Sequence, residues 1–106
     1  MKTDEILYEL FWQGEEKAAD ELVLRHGDIL TLYINGYLKD MHEAEDLMIE
    51  SFALMFARKR PVSGAGSFRA YLYKTARNLA GRIRKKHRIL HIGLETLPFE
   101  IQSEAA

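Results

Sequence analysis

Asp40-Met41-His42-Glu43-Ala44-Glu45-Asp46-Leu47-Met48-Ile49-Glu50-Ser51-Phe52-Ala53-Leu54-Met55-Phe56-Ala57-Arg58-Lys59-Arg60 spells out a helix from one end to the other. Asp40 and Glu43 have the spacing of a capping box, with Asp in place of the usual Ser/Thr. Acids gather in the first turns (Glu43, Glu45, Asp46) and bases close the segment (Arg58, Lys59, Arg60), which suits the helix dipole at both ends. Leu47, Met48, Phe52, Met55 and Phe56 recur at helical steps and form the inward stripe. The same periodicity runs through almost the whole chain, without strand-like alternation, internal repeats or low-complexity tracts. The pattern predicts an all-α fold, a compact bundle of about four helices.

Upstream, Thr3 is placed to cap a first helix over about Asp4 to Trp12, which Gly14 ends, with Ile6, Leu7, Leu10 and Phe11 as its apolar side. A second helix spans about Glu15 to Leu38, with Leu22, Leu24, Ile29, Tyr33 and Tyr37 as its core residues and a kink expected at His26-Gly27-Asp28. Downstream, Pro61-Val62-Ser63-Gly64-Ala65-Gly66 forms a loop, and Ser67 caps a fourth helix reaching about His87. The apolar line of that helix is Phe68, Leu72, Thr75, Ala76, Leu79 and Ile83. From Ile89 the periodicity weakens into a tail. The organisation expected is an N-terminal helix over 1–14, a helical domain over 15–90, and a tail or linker start over 91–106.

The composition fits one globular domain: 106 residues, 47% hydrophobic and 29% charged. The absence of cysteine excludes disulfides and cysteine-ligated zinc. No uncharged stretch is long enough to span a bilayer, and the acidic opening does not read as a secretion signal, so the cytoplasm is the expected location and no membrane partner is expected. The net charge of −1 conceals a partition: residues 1–50 hold 13 acids against 4 bases, whereas residues 51–94 hold 11 bases and no acid. Such a stretch predicts a strongly positive face that calls for an anionic partner, against the bland alternative of a solvated basic helix. No Ser/His/Asp order, pocket-forming carboxylate pair or phosphate-binding Walker pattern occurs, so the chain does not read as an enzyme and no cofactor is expected. The four histidines form no ligand set; only His87 and His91 share helical spacing, and no acid lies near them in sequence.

Two faces carry the functional reading. On the fourth helix, Tyr73, Lys74, Arg77, Asn78, Gly81, Arg84, Lys85 and Arg88 share one broad side opposite the core line. Cations there can neutralise phosphates and an amide can read a base edge, so the composition is that of a nucleic-acid face. Gly64 and Gly66 allow close backbone approach, and the helix start at Ser67 offers N–H groups to an anion, although a plain flexible turn has the same letters. On the third helix, Asp46, Ile49, Glu50 and Ala53 turn away from the core stripe as a candidate protein-binding patch, or else as a solvated face with one stray apolar residue.

Taken together, these segments resemble region 2 of the sigma-70 family in its extracytoplasmic-function branch. Ala44-Glu45-Asp46-Leu47-Met48-Ile49-Glu50-Ser51-Phe52 is similar to the family's A-E-D-L-V-Q-E-V-F. Gly66-Ser67-Phe68-Arg69-Ala70-Tyr71-Leu72-Tyr73-Lys74-Thr75-Ala76-Arg77-Asn78-Leu79-Ala80 is similar to G-S-F-R-A-W-L-Y-R-I-A-R-N-L-A, and Ala19 to Gly27 looks like a weaker opening block. The resemblance covers roughly residues 15–88. It implies a domain that joins core RNA polymerase to promoter DNA. Asp46, Ile49, Glu50 and Ala53 would meet the clamp helices of the polymerase β′ subunit. The non-template strand of the minus-ten element would lie on Val62, Ser63, Gly64, Gly66, Ser67, Arg69, Tyr73, Lys74, Arg77, Asn78, Arg84, Lys85 and Arg88, with one base flipped into the loop. An anti-sigma factor is a further partner compatible with the resemblance, and no residue identifies it. Ile49 replaces the family's usual glutamine, Tyr71 replaces a tryptophan and is expected in the core, and the loop lacks the common acidic and aromatic residues. The helix-turn-helix domain that reads the minus-thirty-five element is not in the sequence, so a fragment is expected, with a natural single-domain variant as the alternative. The alternative from the residues alone is a general nucleic-acid-binding helical module without polymerase, or an interaction domain whose basic helix meets an acidic protein.

Overall fold

The computed structural model describes residues 1–58 and 62–96, with side chains described as far as Leu90. Four helices follow one another: α1 (Asp4–Trp12), α2 (Glu16–Leu38), α3 (Met41–Arg58) and α4 (Ser67–Thr96). The all-α expectation holds, and the described residues contain no strand. Lys59, Arg60 and Pro61, read above as the end of the third helix and the start of the loop, lie outside the described residues, as do the tail beyond Thr96 and the side chain of His91.

Local signals set most of the boundaries. Thr3 accepts a hydrogen bond from the Ile6 N–H at 3.2 Å and caps α1, and Gly14 follows at φ +107°, which only glycine adopts without strain. The Asp40 carboxylate accepts from the Glu43 N–H at 3.1 Å, which completes one half of the expected capping box. α2 runs unbroken through His26-Gly27-Asp28 because its buried face continues across the glycine: Thr31 donates to the Gly27 carbonyl at 2.8 Å, and Met48 of α3 packs over Gly27. α4 continues beyond His87, its expected end, to Thr96. Lysine and arginine are good helix formers, and no proline intervenes before Pro98.

α2 lies at the centre of the bundle and packs against each of the other three helices. Its Leu22, Leu30 and Ile34 meet Leu47, Phe52 and Met55 of α3 and Phe68, Leu72, Ala76 and Ala80 of α4 in one buried cluster. α1 closes the end of that cluster with Leu7 and Tyr8, and the Tyr8 ring sits 5.1 Å from Phe68 and 5.0 Å from Trp12. Each fully buried aliphatic or aromatic side chain stabilises by about 1.5–3 kcal/mol. The Tyr8 hydroxyl donates to the Met55 carbonyl, and burial pushes the phenol up from its ordinary value against smaller opposing pulls from Trp12 and Arg58.

Some expected core residues are outside. Leu24 and Ile29 of α2 are 83% and 60% exposed, and Ile6 of α1 is also exposed. α2 carries more apolar residues than its buried stripe can hold, and its contact line follows Ala18, Leu22, Leu30 and Ile34 instead. Tyr71, expected in the core, is 43% exposed, with the Arg58 guanidinium 5.4 Å from its ring centroid. His26 bonds Asp4 at 2.9 Å and ties α1 to α2 with help from Arg25 at 3.2 Å.

Candidate nucleic-acid and protein interfaces

α4 presents its cations along a rod whose inner line, Phe68, Leu72, Ala76 and Ala80, is fixed in the core. That anchoring turns Lys74, Arg77, Asn78, Arg84, Lys85 and Arg88 outward, and all are exposed. The structure divides them into two grooves, where the sequence pattern expected one broad side. On the α2 side, Arg77, Gly81, Arg84, Lys85, His87 and Arg88 line an open cleft of about 500 Å³ with Tyr37 and Leu38. On the α3 side, Asn78 lines a smaller groove with Leu54, Arg58, Thr75, Leu79 and Arg82. The amide suited to reading a base edge and the main run of cations suited to phosphates therefore sit on opposite shoulders of one helix. Among the described residues, none of Arg77, Arg84, Lys85 and Arg88 pairs with a carboxylate; the ion pairs involve Arg25, His26 and His87.

Tyr73 and Arg69 are not free members of that face. Tyr73 is half-buried at the α2–α4 seam, its ring centroid 5.0 Å from that of Tyr33 and 5.4 Å from the Arg69 guanidinium. Tyr33 in turn packs edge-on against Tyr37 at 5.4 Å, with their hydroxyls 3.3 Å apart, and that hydrogen bond raises the Tyr33 phenol from its ordinary value. The result is a fixed ladder of rings leading from Arg69 to the edge of the cleft.

The loop before α4 is occupied differently from expectation. Gly66, rather than Ser67, caps the helix: its carbonyl accepts from the Ala70 N–H at 3.1 Å. Gly64 and Gly66 stand at φ +88° and +80°, and a Cβ on either would meet open space, so the turn's dihedrals, not a close approach, require glycine. The helix start is not free for an anion, because the Glu5 carboxylate of α1 accepts from the Phe68 N–H at 2.9 Å. Ser67 Oγ is buried without a partner. Val62 turns toward α1 and shares a cavity of about 240 Å³ with Glu5, Ile6, Tyr8, Glu9 and Trp12. Ser63 and Gly64 are exposed. His87, for which no neighbouring acid was expected, lies 3.5 Å from Glu43.

On α3, Asp46, Ile49, Glu50 and Ala53 are all exposed, Ile49 to 62%. They form one outward row behind Leu47, Ser51 and Met55, which are buried. The row also adjoins Leu54, which is exposed on the same helix. No group of metal-binding residues occurs among the described residues.

An acid-and-isoleucine row on one helix, beside it a basic helix whose arginines and lysines pair with no carboxylate among the described residues, and a glycine turn between them make up the arrangement, and the family model for sigma-70 region 2 matches residues 22–89. The chain belongs to the sigma-70 region 2 family. Region 2 domains serve transcription initiation, binding core RNA polymerase and recognising promoter DNA. The match begins within α2 and ends near the last described side chain of α4, so α1, with Glu5 and Tyr8, lies outside it. Comparison with curated proteins and with solved structures found no match.

Proposed function

We propose that the chain is the promoter-binding domain of an extracytoplasmic-function sigma factor. In this reading α3 docks on the clamp helices of the polymerase β′ subunit through Asp46, Ile49, Glu50 and Ala53. The non-template strand of the minus-ten element lies along α4, with Lys74, Arg77, Arg84, Lys85 and Arg88 on phosphates and Asn78 on a base edge. The observation that carries the reading is the separation of the two faces. The acidic row of α3 and the basic rod of α4 both project from one shared core, so polymerase and DNA can be held at once. Because Glu5 occupies the first turn of α4, a flipped base or phosphate at Gly64–Ser67 has to displace that carboxylate, and the strand contacts fall mainly on the body of α4. The assignment implies the cytoplasm, where polymerase works; no described helix is long and apolar enough to cross a membrane.

The test is retention of the purified chain on core RNA polymerase, comparing wild type with Asp46→Lys. Asp46 is exposed and makes no ion pair among the described residues, so charge reversal leaves the fold intact. Wild-type retention that the substitution abolishes supports α3 as the docking surface. Retention unaffected by the substitution moves the contact elsewhere. No wild-type retention, with nucleic-acid binding intact, favours a general nucleic-acid module.

A further inference from the structure

We propose that the chain associates with a second copy of itself, head to tail: the basic, apolar-tipped end of α4 of one copy docks on the acidic, leucine-bearing outer face of α2 of the next. On α2, Leu24, Asp28 and Leu32 recur every four residues along the outer side. Leu24 and Leu32 are 83% and 61% exposed, and Ile29 beside them is 60% exposed. Large apolar side chains gathered on one exposed side mark an interaction surface, unlike the single exposed residues of an ordinary helix. The exposed charges of this helix are Glu16, Asp20, Glu21 and Asp28 against Lys17. Glu21 lies 3.5 Å from Arg25, whereas Asp20 and Asp28 pair with no base among the described residues. The face therefore suits a partner that is cationic and carries apolar residues of its own.

The far end of α4 has that composition. Its last contacts with the core are Ala80 and Ile83, and every residue from Arg84 to Leu90 is exposed, yet the helix continues to Thr96. A helical stretch without a buried face gains little from packing, so a surface that covers it stabilises it. Arg82, Lys85, Lys86, Ile89 and Leu90 recur at helical steps on one side and line one groove. None of the three cations pairs with a carboxylate among the described residues. Lys85 and Lys86 lie one turn before Ile89 and Leu90, as Asp20 and Glu21 lie one turn before Leu24, so the two stripes match in order when the helices run the same way. The chain itself thus carries both halves of the complement: residues 1–50 hold 13 of the 16 acids, and residues 51–94 hold 11 bases and no acid. Because the two faces are different parts of the molecule, the contact does not close on itself, and copies add in series.

Sedimentation velocity of the full chain at low salt, from micromolar to sub-millimolar concentrations, tests the proposal. The weight-average mass is expected to rise with concentration past that of a dimer. In 1 M salt, where the screening length is about 3 Å, it should fall back toward the monomer. Leu24→Lys and Leu90→Gln change exposed helix positions and are each expected to weaken association by about tenfold or more, the loss of one buried leucine. An equimolar mixture of the two variants then forms a dimer and nothing larger, because one supplies an intact α4 end and the other an intact α2 face. Rescue in the mixture also shows that both variants are folded. A wild-type monomer at every concentration overturns the proposal, and so does association that neither variant weakens. Wild-type association that stops at a dimer, with the mixture no better than either variant alone, means that the copies meet through one shared patch and overturns the head-to-tail contact.

Discussion

Tyr8 is a polar residue that does the work of a core residue, and its hydroxyl decides what it costs to replace. The ring fills the junction of α1 with Phe68 and Trp12, while the hydroxyl satisfies the Met55 carbonyl. Tyr8→Phe keeps the packing and leaves that carbonyl without its donor, so we expect a loss of about 1–2 kcal/mol at neutral pH in urea unfolding. The phenol is pushed above its ordinary value of 10.0 chiefly by burial. The unfolded chain therefore releases this proton first as pH rises, and stability present below about pH 10 falls as the folded phenol titrates. The gap between wild type and Tyr8→Phe should narrow at pH 11; an equal gap at both pH values would show that the buried phenol does not titrate in this range. Residue by residue, the sequence was informative wherever a signal was local. Thr3, Gly14 and Asp40 each mark a helix end by chemistry acting within four positions, and each does so in the structure. Tyr8 was missed because its amphipathic ring reads equally well as surface, and only a partner far along the chain decides between the two.

At the scale of elements, α1 matters beyond its own length. It lies outside the residues that match the family model, yet it supplies Leu7 and Tyr8 to the core and Glu5 to the start of α4. The Glu5 carboxylate stands where the positive end of a helix dipole favours an anion, with a hydrogen bond to orient it. Glu5→Ala should lower the melting temperature by about 4–8 °C, corresponding to roughly 1 kcal/mol in a domain of this size. An unchanged melting temperature would mean that the contact is replaced by water at no cost. This contact was illegible in the sequence, since nothing in Asp4-Glu5 distinguishes a first-turn acid of its own helix from a cap on another. The excess apolar residues of α2 misled for a related reason: Leu24 and Ile29 fit a helical stripe, but the stripe that packs is selected by the neighbouring helices. The ends of α2 and the start of α3 were legible; the division of α4 into two grooves was not, because it depends on where α2 and α3 lie against it.

For the whole molecule, the net charge of −1 is a poor guide to behaviour toward DNA. Thirteen of the 16 acids belong to the half of the chain that forms α1, α2 and most of α3, and the described bases beyond Arg58 belong to α4. A polyanion meets one positive side, and the attraction falls off over about 10 Å at 0.1 M salt. With the five phosphate contacts proposed on α4, single-strand affinity should fall with a log–log salt slope of about −3.5, and Lys85→Gln should make it shallower by about 0.7. A slope near zero in titrations from 50 to 200 mM salt would remove phosphate contacts from the account.

The link between Glu5 and Phe68 spans 63 positions, and that between Tyr8 and Met55 spans 47. At synthesis rates of about 5–20 residues per second, the ribosome needs roughly 3–13 s to add the residues separating Glu5 from its partner. During that interval α1 has emerged but cannot close, and its apolar side has only the incomplete chain to lean on. α1 is thus made before the residues that secure it.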